Sequence, residues 1–356
     1  MKRYMGLRGM ITCAAMLGLV KRPTISDVAQ RAGVSISAAS FALNGRPGVS
    51  DRTRQRVLAI ADEIGWHRNS AARVLSGGTT NVIGMAFPRP ATTLGAEPFF
   101  MELVSGIESV LAGPGYALMM QVVADVDAEL KVYRSWWGEH RVDGIVVVDL
   151  RGDDPRVGLL EELALPAVVV GGPAEVGSLP HVWADDAAAA VETVGYLAAL
   201  GHRRIARVAG LPDLLHTRRR DEAFREAGGT YGLDFDIVHT DYTGLEGAQA
   251  TRRLLSSRER PTAVLYDNSI MAVAGMSVAD EMRLSVPADL SIVAWDDSQL
   301  CQVIRPAITA LARDVTAYGA RVARLLLDVV TRADGERSVE VPAPRLVPRS
   351  STAPPR

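Results

Sequence analysis

The chain has 356 residues, with 39 Lys and Arg against 41 Asp and Glu, and that length exceeds what one hydrophobic core usually serves, so two or three folding units are expected. Two cysteines, Cys13 and Cys301, are too few and too far apart for a disulfide framework or a zinc site, and the six histidines show no paired metal spacing; a reducing, cytoplasmic setting without metal or cofactor is expected. The near-neutral balance hides a division, because residues 1–80 hold 12 Lys and Arg against 4 Asp and Glu and the remainder holds 27 against 37, which assigns a polyanionic partner to the head alone.

In chain order, "MKRYMGLRG" followed by "MITCAAMLGLV" has the look of a charged segment and a short apolar segment of an export signal. No small-residue cleavage site follows, and the apolar run is too short to span a bilayer. Residues 1–22 are therefore expected to be a disordered extension or a misassigned start, with Met16 as the alternative first residue.

Residues 23–67 read as three short helices. Thr24 with Asp27 forms a capping-box start, Val28, Ala29 and Ala32 supply an apolar stripe, and Gly33 stops the first helix. Ser35 caps a second helix with a narrow apolar face of Ala38, Ala39, Ala42 and Leu43. "NGRPGVS" is loop chemistry, and its Ser50 caps a third helix through Ile64 with Val57, Ile60, Ala61 and Ile64 on the core face. Helix, tight glycine turn and helix on a basic unit is either a structural bundle or a DNA reader, and the charge favours the reader. Residues 68–79 follow as a hinge helix and linker, with Asn69 as cap and Gly77-Gly78 as stop, too short to hold in isolation.

From residue 80 the pattern alternates. "NVIGMAFP", "YALMMQVV", "VDGIVVV" and "PAVVVGG" are short strand-like runs separated by helical segments such as "EPFFMELVSGIESVLAG" and "DDPRVGLLEELA". The theme repeats at "RRIARVAG", "DFDIVHTD", "TAVLYDN" and "LSIVAW". Such an order predicts parallel sheets with helices on both faces, in two tandem doubly wound subdomains spanning residues 80–352. The N-terminal subdomain takes about 80–183 plus 313–342 and the C-terminal one about 184–312, with a tail at 353–356. The Pro-rich "VPAPRLVPRSSTAPPR" carries no apolar heptads, which argues against a coiled-coil tetramer. Clefts of such sheets lie beyond the carboxyl ends of strands, where "VAWDDS" puts Asp296 and "LYDNS" puts Asn268.

"TISDVAQRAGVS", the Ser40 and Asn44 that close the second helix, "NSAARVLSGGTTNVIGM", "LAALGHRRIARVAG", "VPADLSIVAWDDS" and "STAPP", in this order, resemble the lactose/galactose repressor family over nearly the whole chain. The resemblance implies a ligand-responsive transcriptional regulator, a repressor acting as a homodimer on pseudopalindromic operator DNA, with a small helix-turn-helix head and a body of periplasmic-binding-protein type. It puts the second helix in the major groove, with Ile36, Ser37 and Phe41 choosing bases. Arg is usual where Phe41 stands; Phe41 either meets a thymine methyl or turns inward to pack. Thr24, Ser35, Ser40, Asn44, Ser50 and Thr53 complete the DNA-facing set, several of them able to bond phosphate oxygens, with charge from Arg31, Arg46, Arg52 and Arg54. Paired hinge helices would lie in the minor groove, Ala72 near the bases and Leu75 as a wedge. Trp66 either buttresses that hinge or closes the small core.

In the body the resemblance makes Asp296, Asn268 and Arg220 the polar anchors of a small-molecule effector, a sugar or related metabolite, with Tyr242 stacking on it and Phe99 and Phe100 lining the facing subdomain. His216, Asp267 and Ser269 depart from the family's usual residues. No catalytic signature appears, so no enzyme is expected. The alternative is an exported or lipid-anchored sugar-binding protein of a transport system, which would have no use for residues 24–76.

Overall fold

The computed structural model describes residues 23–66, 78–89, 97–333 and 335–356. The chain divides after Thr79 into two compact units. Residues 1–22 lie outside the described residues, and so do Asn69, Ala72 and Leu75 of the expected hinge.

The head contains α1 (Ile25–Ala32), α2 (Ile36–Leu43) and α3 (Asp51–Glu63). Each start is made by the local chemistry of one residue. Thr24 Oγ1 accepts from the Asp27 backbone N–H, and the Asp27 carboxylate accepts from the Thr24 N–H at 2.7 Å, a complete capping box. Ser35 accepts from Ala38 N–H at 3.1 Å and Ser50 from Thr53 N–H at 3.3 Å. Gly33, at φ 63°, terminates α1 in the left-handed region that a side chain would disfavour. The small core joins Val28, Ala29, Ala32, Ala39, Ala42, Val57 and Ala61, with Ile60, Ile64 and Trp66 packed against it. Of the two roles open to Trp66, the packing places it on this core. Ala38 and Leu43 are half-buried, Leu43 packed against this core.

The body holds two six-stranded sheets. In the first lobe β1 (Val82–Phe87), β2 (Ala117–Val122), β3 (Gly144–Val147), β4 (Ala167–Val170), β5 (His181–Ala184) and β11 (Ser338–Val341) are all parallel, in the order β11-β5-β4-β3-β1-β2. In the second lobe β6 (Arg204–Ala209), β7 (Asp234–His239), β8 (Ala263–Tyr266), β9 (Ser291–Ala294) and β10 (Thr309–Ala312) are parallel. β12 (Arg345–Val347) is antiparallel to β10 and closes the order β12-β10-β9-β8-β6-β7. The Pro-rich end of the chain thus follows one edge strand in the first sheet and supplies one to the second. Ala353 is hydrogen-bonded to Ser291 and His202 of the second lobe.

Helices cover both faces, as buried Val- and Ile-rich strands require. In the first lobe these are α4 (Pro98–Leu111), α5 (Val126–Gly138), α6 (Pro155–Glu162) and, returning after β10, α12 (Val315–Thr331). In the second they are α7 (Asp186–Ala199), α8 (Leu215–Tyr231), α9 (Gly244–Leu255), α10 (Ser269–Glu281) and the short α11 (Gln299–Val303). α4 and α12 touch backbone to backbone, since a Cβ at Gly106 would collide with the Thr316 carbonyl oxygen and one at Gly319 with that of Leu103. In each lobe one central strand, β1 or β6, sits where the strand order reverses, so the two crevices at the carboxyl ends face a common cleft.

Candidate functional site

On the head, most of the residues expected to meet DNA are exposed. Ser35, Ile36, Ser37, Phe41, Asn44 and Ser50 are exposed, and Ser40 and Thr53 are half-buried. The hydroxyls are partly committed: Ser35 Oγ lies 3.1 Å from Ser37 Oγ, Ser50 Oγ 3.0 Å from Thr53 Oγ1, and Asn44 Nδ2 donates to the Ser40 carbonyl and hydroxyl. Thr24 is spent on its capping box. Phe41 stays outside the head core at 38 % exposure, so the inward-packed alternative is not the one adopted. Arg54 donates to the Arg46 carbonyl at 2.9 Å and pins the loop before α3.

In the body a cavity of about 580 Å³ opens between the lobes. Part of its polar lining sits just past strand ends, Asp149 after β3, Asp185 and Asp186 after β5, Asp267 and Asn268 after β8, Trp295 and Asp296 after β9, and Arg313 after β10, and the rest comes from helices and loops, including His216, Arg219, Arg220 and Glu222 of α8. All six expected effector residues, Phe99, Phe100, Arg220, Tyr242, Asn268 and Asp296, line it. Their partners differ from the simple expectation in three cases.

Asn268 is the N-cap of α10, its Oδ1 accepting from Met271 N–H at 2.8 Å, while Nδ2 donates to Tyr242 O at 3.0 Å and to Glu97 Oε1 at 3.1 Å. Its amide is therefore a joint between lobes more than a free anchor. Tyr242, expected to stack on ligand, has the Arg89 guanidinium 4.6 Å from its ring centroid and its ring wedged against Gly210, where a Cβ would clash. Its hydroxyl bonds His216 Nε2 at 2.9 Å and Thr217 Oγ1 at 3.1 Å. Arg220 is paired with Asp186 at 2.5 Å and lies 4.3 Å from the Trp295 ring centroid, a buried guanidinium that needs this partner to be tolerated.

Asp296 fits its expected place best. Oδ2 accepts from Ser269 Oγ at 2.9 Å, and buried Oδ1 has no hydrogen-bond partner among the described residues. Burial pushes its carboxyl up to about 6. The Trp295 indole N–H is likewise buried without a hydrogen bond, while Asp186 Oδ1, also without one, faces the Arg313 guanidinium at 3.7 Å; all three residues line the cavity. Buried polar groups are nearly always satisfied, so Asp296 Oδ1 and Trp295 Nε1 are free to bond a polar guest in the cavity.

Sequence reading missed Arg89, Glu97, Asp149, Asp186, Trp295 and Arg313. Arg89 bridges Asp149 at 2.5 Å and Glu97 at 3.2 Å; burial opposes its charge, yet the two carboxylates outweigh burial and hold its pKa above the ordinary value. Burial pushes Glu97 up to about 7 despite Arg89. His216 is held well below its usual range by burial and by the surrounding Arg220, Arg89, Arg207 and Arg313, so it is neutral at physiological pH. Phe99 lies under Arg313, and Phe100 packs edge-on to Phe87. A signal for Asp186 existed: "VWADD" repeats the strand-end aromatic and acid pair of "VAWDD".

No helix among the described residues is long and apolar enough to cross a membrane. Residues 24–69 match the model of bacterial regulatory proteins of the lacI family, and residues 194–352 match a periplasmic binding protein-like domain. Catabolite control protein A of Priestia megaterium is 30% identical over 92% of this chain and 99% of its own. Among solved structures, the transcriptional regulator CelR–cellobiose complex matches with 28% identity and a TM-score of 0.71, covering 93% of this chain and 100% of that one. The lac repressor dimer bound to operator and the anti-inducer ONPF matches with 25% identity and a TM-score of 0.82, covering 94% and 100%. These relatives are transcriptional regulators, not enzymes or exported binding proteins, and the chain itself belongs to the LacI family of bacterial transcriptional regulators.

Proposed function

We propose that the protein is a cytoplasmic, homodimeric repressor that binds a pseudopalindromic operator through its helix-turn-helix head and responds to a sugar or related polyhydroxylated metabolite held in the body cleft. It acts by binding, not by catalysis. The observation that carries the effector half is the pair of buried polar atoms without a hydrogen bond on the cavity wall, Asp296 Oδ1 and Trp295 Nε1. A ring with adjacent hydroxyls donates to the carboxylate and accepts from the indole N–H, which turns a desolvation cost into binding energy. The CelR complex with cellobiose supports a sugar as the chemical class, and the operator complex of the lac repressor supports DNA as the macromolecular partner.

Residues of both lobes line the cavity, and Glu97 of the first lobe already bonds Asn268 of the second. A guest that binds one lobe arrangement more tightly than the other shifts the equilibrium between them, and a coupling of about 1–3 kcal/mol changes operator affinity roughly 5- to 150-fold. The test is a titration of full-length protein with a panel of mono- and disaccharides, followed by tryptophan fluorescence, since Trp183 and Trp295 both line the cavity. A saturable change with one sugar class, lost in Asp296→Ala, is the expected result. Saturation unaltered by Asp296→Ala places the guest elsewhere.

A further inference from the structure

Taking as given that α2 enters the major groove, we infer that it reads thymine methyl groups, so that each operator half-site presents A·T pairs to Ile36 and Phe41. The helix from Ile36 to Leu43 is "ISAASFAL", without a charged residue, an amide or an imidazole. Ala39 and Ala42 turn to the head core, leaving Ile36, 54 % exposed, and Phe41, 38 % exposed, on the outer face. Two large apolar side chains held in water on so small a unit gain nothing for the fold of the head.

The geometry keeps Phe41 outward. Gly48, at φ 115°, lies beneath its ring, and a Cβ there would come within 3.1 Å of the Phe41 ring edge. The loop thus props the ring from one side and leaves the other side free. The neighbouring hydroxyls are partly spent within the head: Ser35 on the α2 cap and its contact with Ser37, Ser40 on Asn44.

The major-groove code decides what such a face can read. Guanine is selected by bidentate Arg or Lys and adenine by bidentate Asn or Gln, and this helix offers none of these; thymine alone displays an apolar group, its 5-methyl. The cations of the head lie off this helix, Arg31 on α1, Arg46 in the loop and Arg52 and Arg54 on α3; Arg31 faces Glu63 and Arg54 bonds the Arg46 carbonyl, and charge outside the reading helix is of the kind that meets phosphates.

The experiment begins with duplexes selected from random sequence by the full-length protein. Each half-site thymine is then replaced by deoxyuridine, one symmetric pair at a time, which removes the methyl and leaves base pairing intact. Burial of one methyl is worth about a four-fold change in affinity, so about fifteen-fold is expected for the sensitive pair. The salt dependence should stay unchanged, because no phosphate contact is lost. In a second arm, Phe41→Arg is expected to move the preference at one position from thymine to guanine. Equal affinity of every uracil duplex, or selected half-sites lacking A·T pairs where the helix docks, overturns the inference while leaving operator binding intact. Selection of no common sequence overturns operator binding itself, and this inference with it.

Discussion

Asp296→Asn separates what the cleft costs from what it does. In the folded protein burial raises this carboxyl from an ordinary 3.8 to about 6. The folded state therefore holds the proton more tightly than the unfolded chain. That contribution is fully present below about pH 4 and is lost as pH rises through 6, after which the ionised group is a net burden. A shift of roughly two pH units corresponds to about 3 kcal/mol, and about 2 kcal/mol remains for a side chain that keeps some contact with solvent. Asparagine retains an acceptor for the Ser269 hydroxyl, which now meets the Asp296 carboxylate at 2.9 Å, and does not titrate. In urea unfolding at pH 7.5, without sugar, the variant should be about 2 kcal/mol more stable than the parent, and the difference should vanish by pH 4. The same change removes a charged acceptor worth about 1.5–3 kcal/mol to a bound hydroxyl, a roughly 10- to 150-fold loss of effector affinity. A variant equal to or less stable than the parent at pH 7.5 would mean that the buried carboxylate carries no net cost.

Thr24→Ala removes the capping box of α1 and should cost the head about 1 kcal/mol, read as a lower melting temperature of the head; no change would make the cap redundant. Gly106→Ala drives a Cβ into the Thr316 carbonyl at the α4–α12 crossing and is expected to destabilise the first lobe by about 2 kcal/mol or more, whereas Gly138→Ala, with open space around its Cβ position, should be close to neutral. Arg220→Met removes the closer of the two guanidinium groups paired with the buried Asp186 carboxylate, leaving Arg313 at 3.7 Å, and should cost about 2 kcal/mol, less than the roughly 3 of a fully unpaired charge; adding Asp186→Asn should recover most of that loss, and strictly additive costs in the double variant would show that the pair is not coupled.

What the sequence made legible was local. The caps at Thr24, Ser35 and Ser50 are decided within four residues, and each forms as read. The short apolar strands of the sheet interiors were readable because buried parallel strands favour continuous runs of Val and Ile, and their ends located Asp296 and Asn268 beside the cavity. The partners of those residues were not readable. Asp186 reaches Arg220 across 34 positions, and Glu97 reaches Asn268 across 171; no periodicity records such pairings. Asn268 illustrates the limit well, since the residue type that suits a ligand anchor is also the type that caps a helix, and here it caps α10. The edge strands β11 and β12 escaped notice because they are short and sit among prolines and charged residues, the composition that edges favour.

The central claim, that this is a DNA-reading head on a ligand-sensing body, is tested most directly by selecting duplexes from random sequence with the full chain and with residues 80–356 alone, each across a salt series. The full chain should retain a shared, two-fold symmetric sequence with affinity falling steeply as salt rises, because the basic head must displace counterions from phosphates. Residues 80–356, acidic on balance, should retain nothing. Recovery of the same sequence by residues 80–356, or of no shared sequence by the full chain, would contradict it.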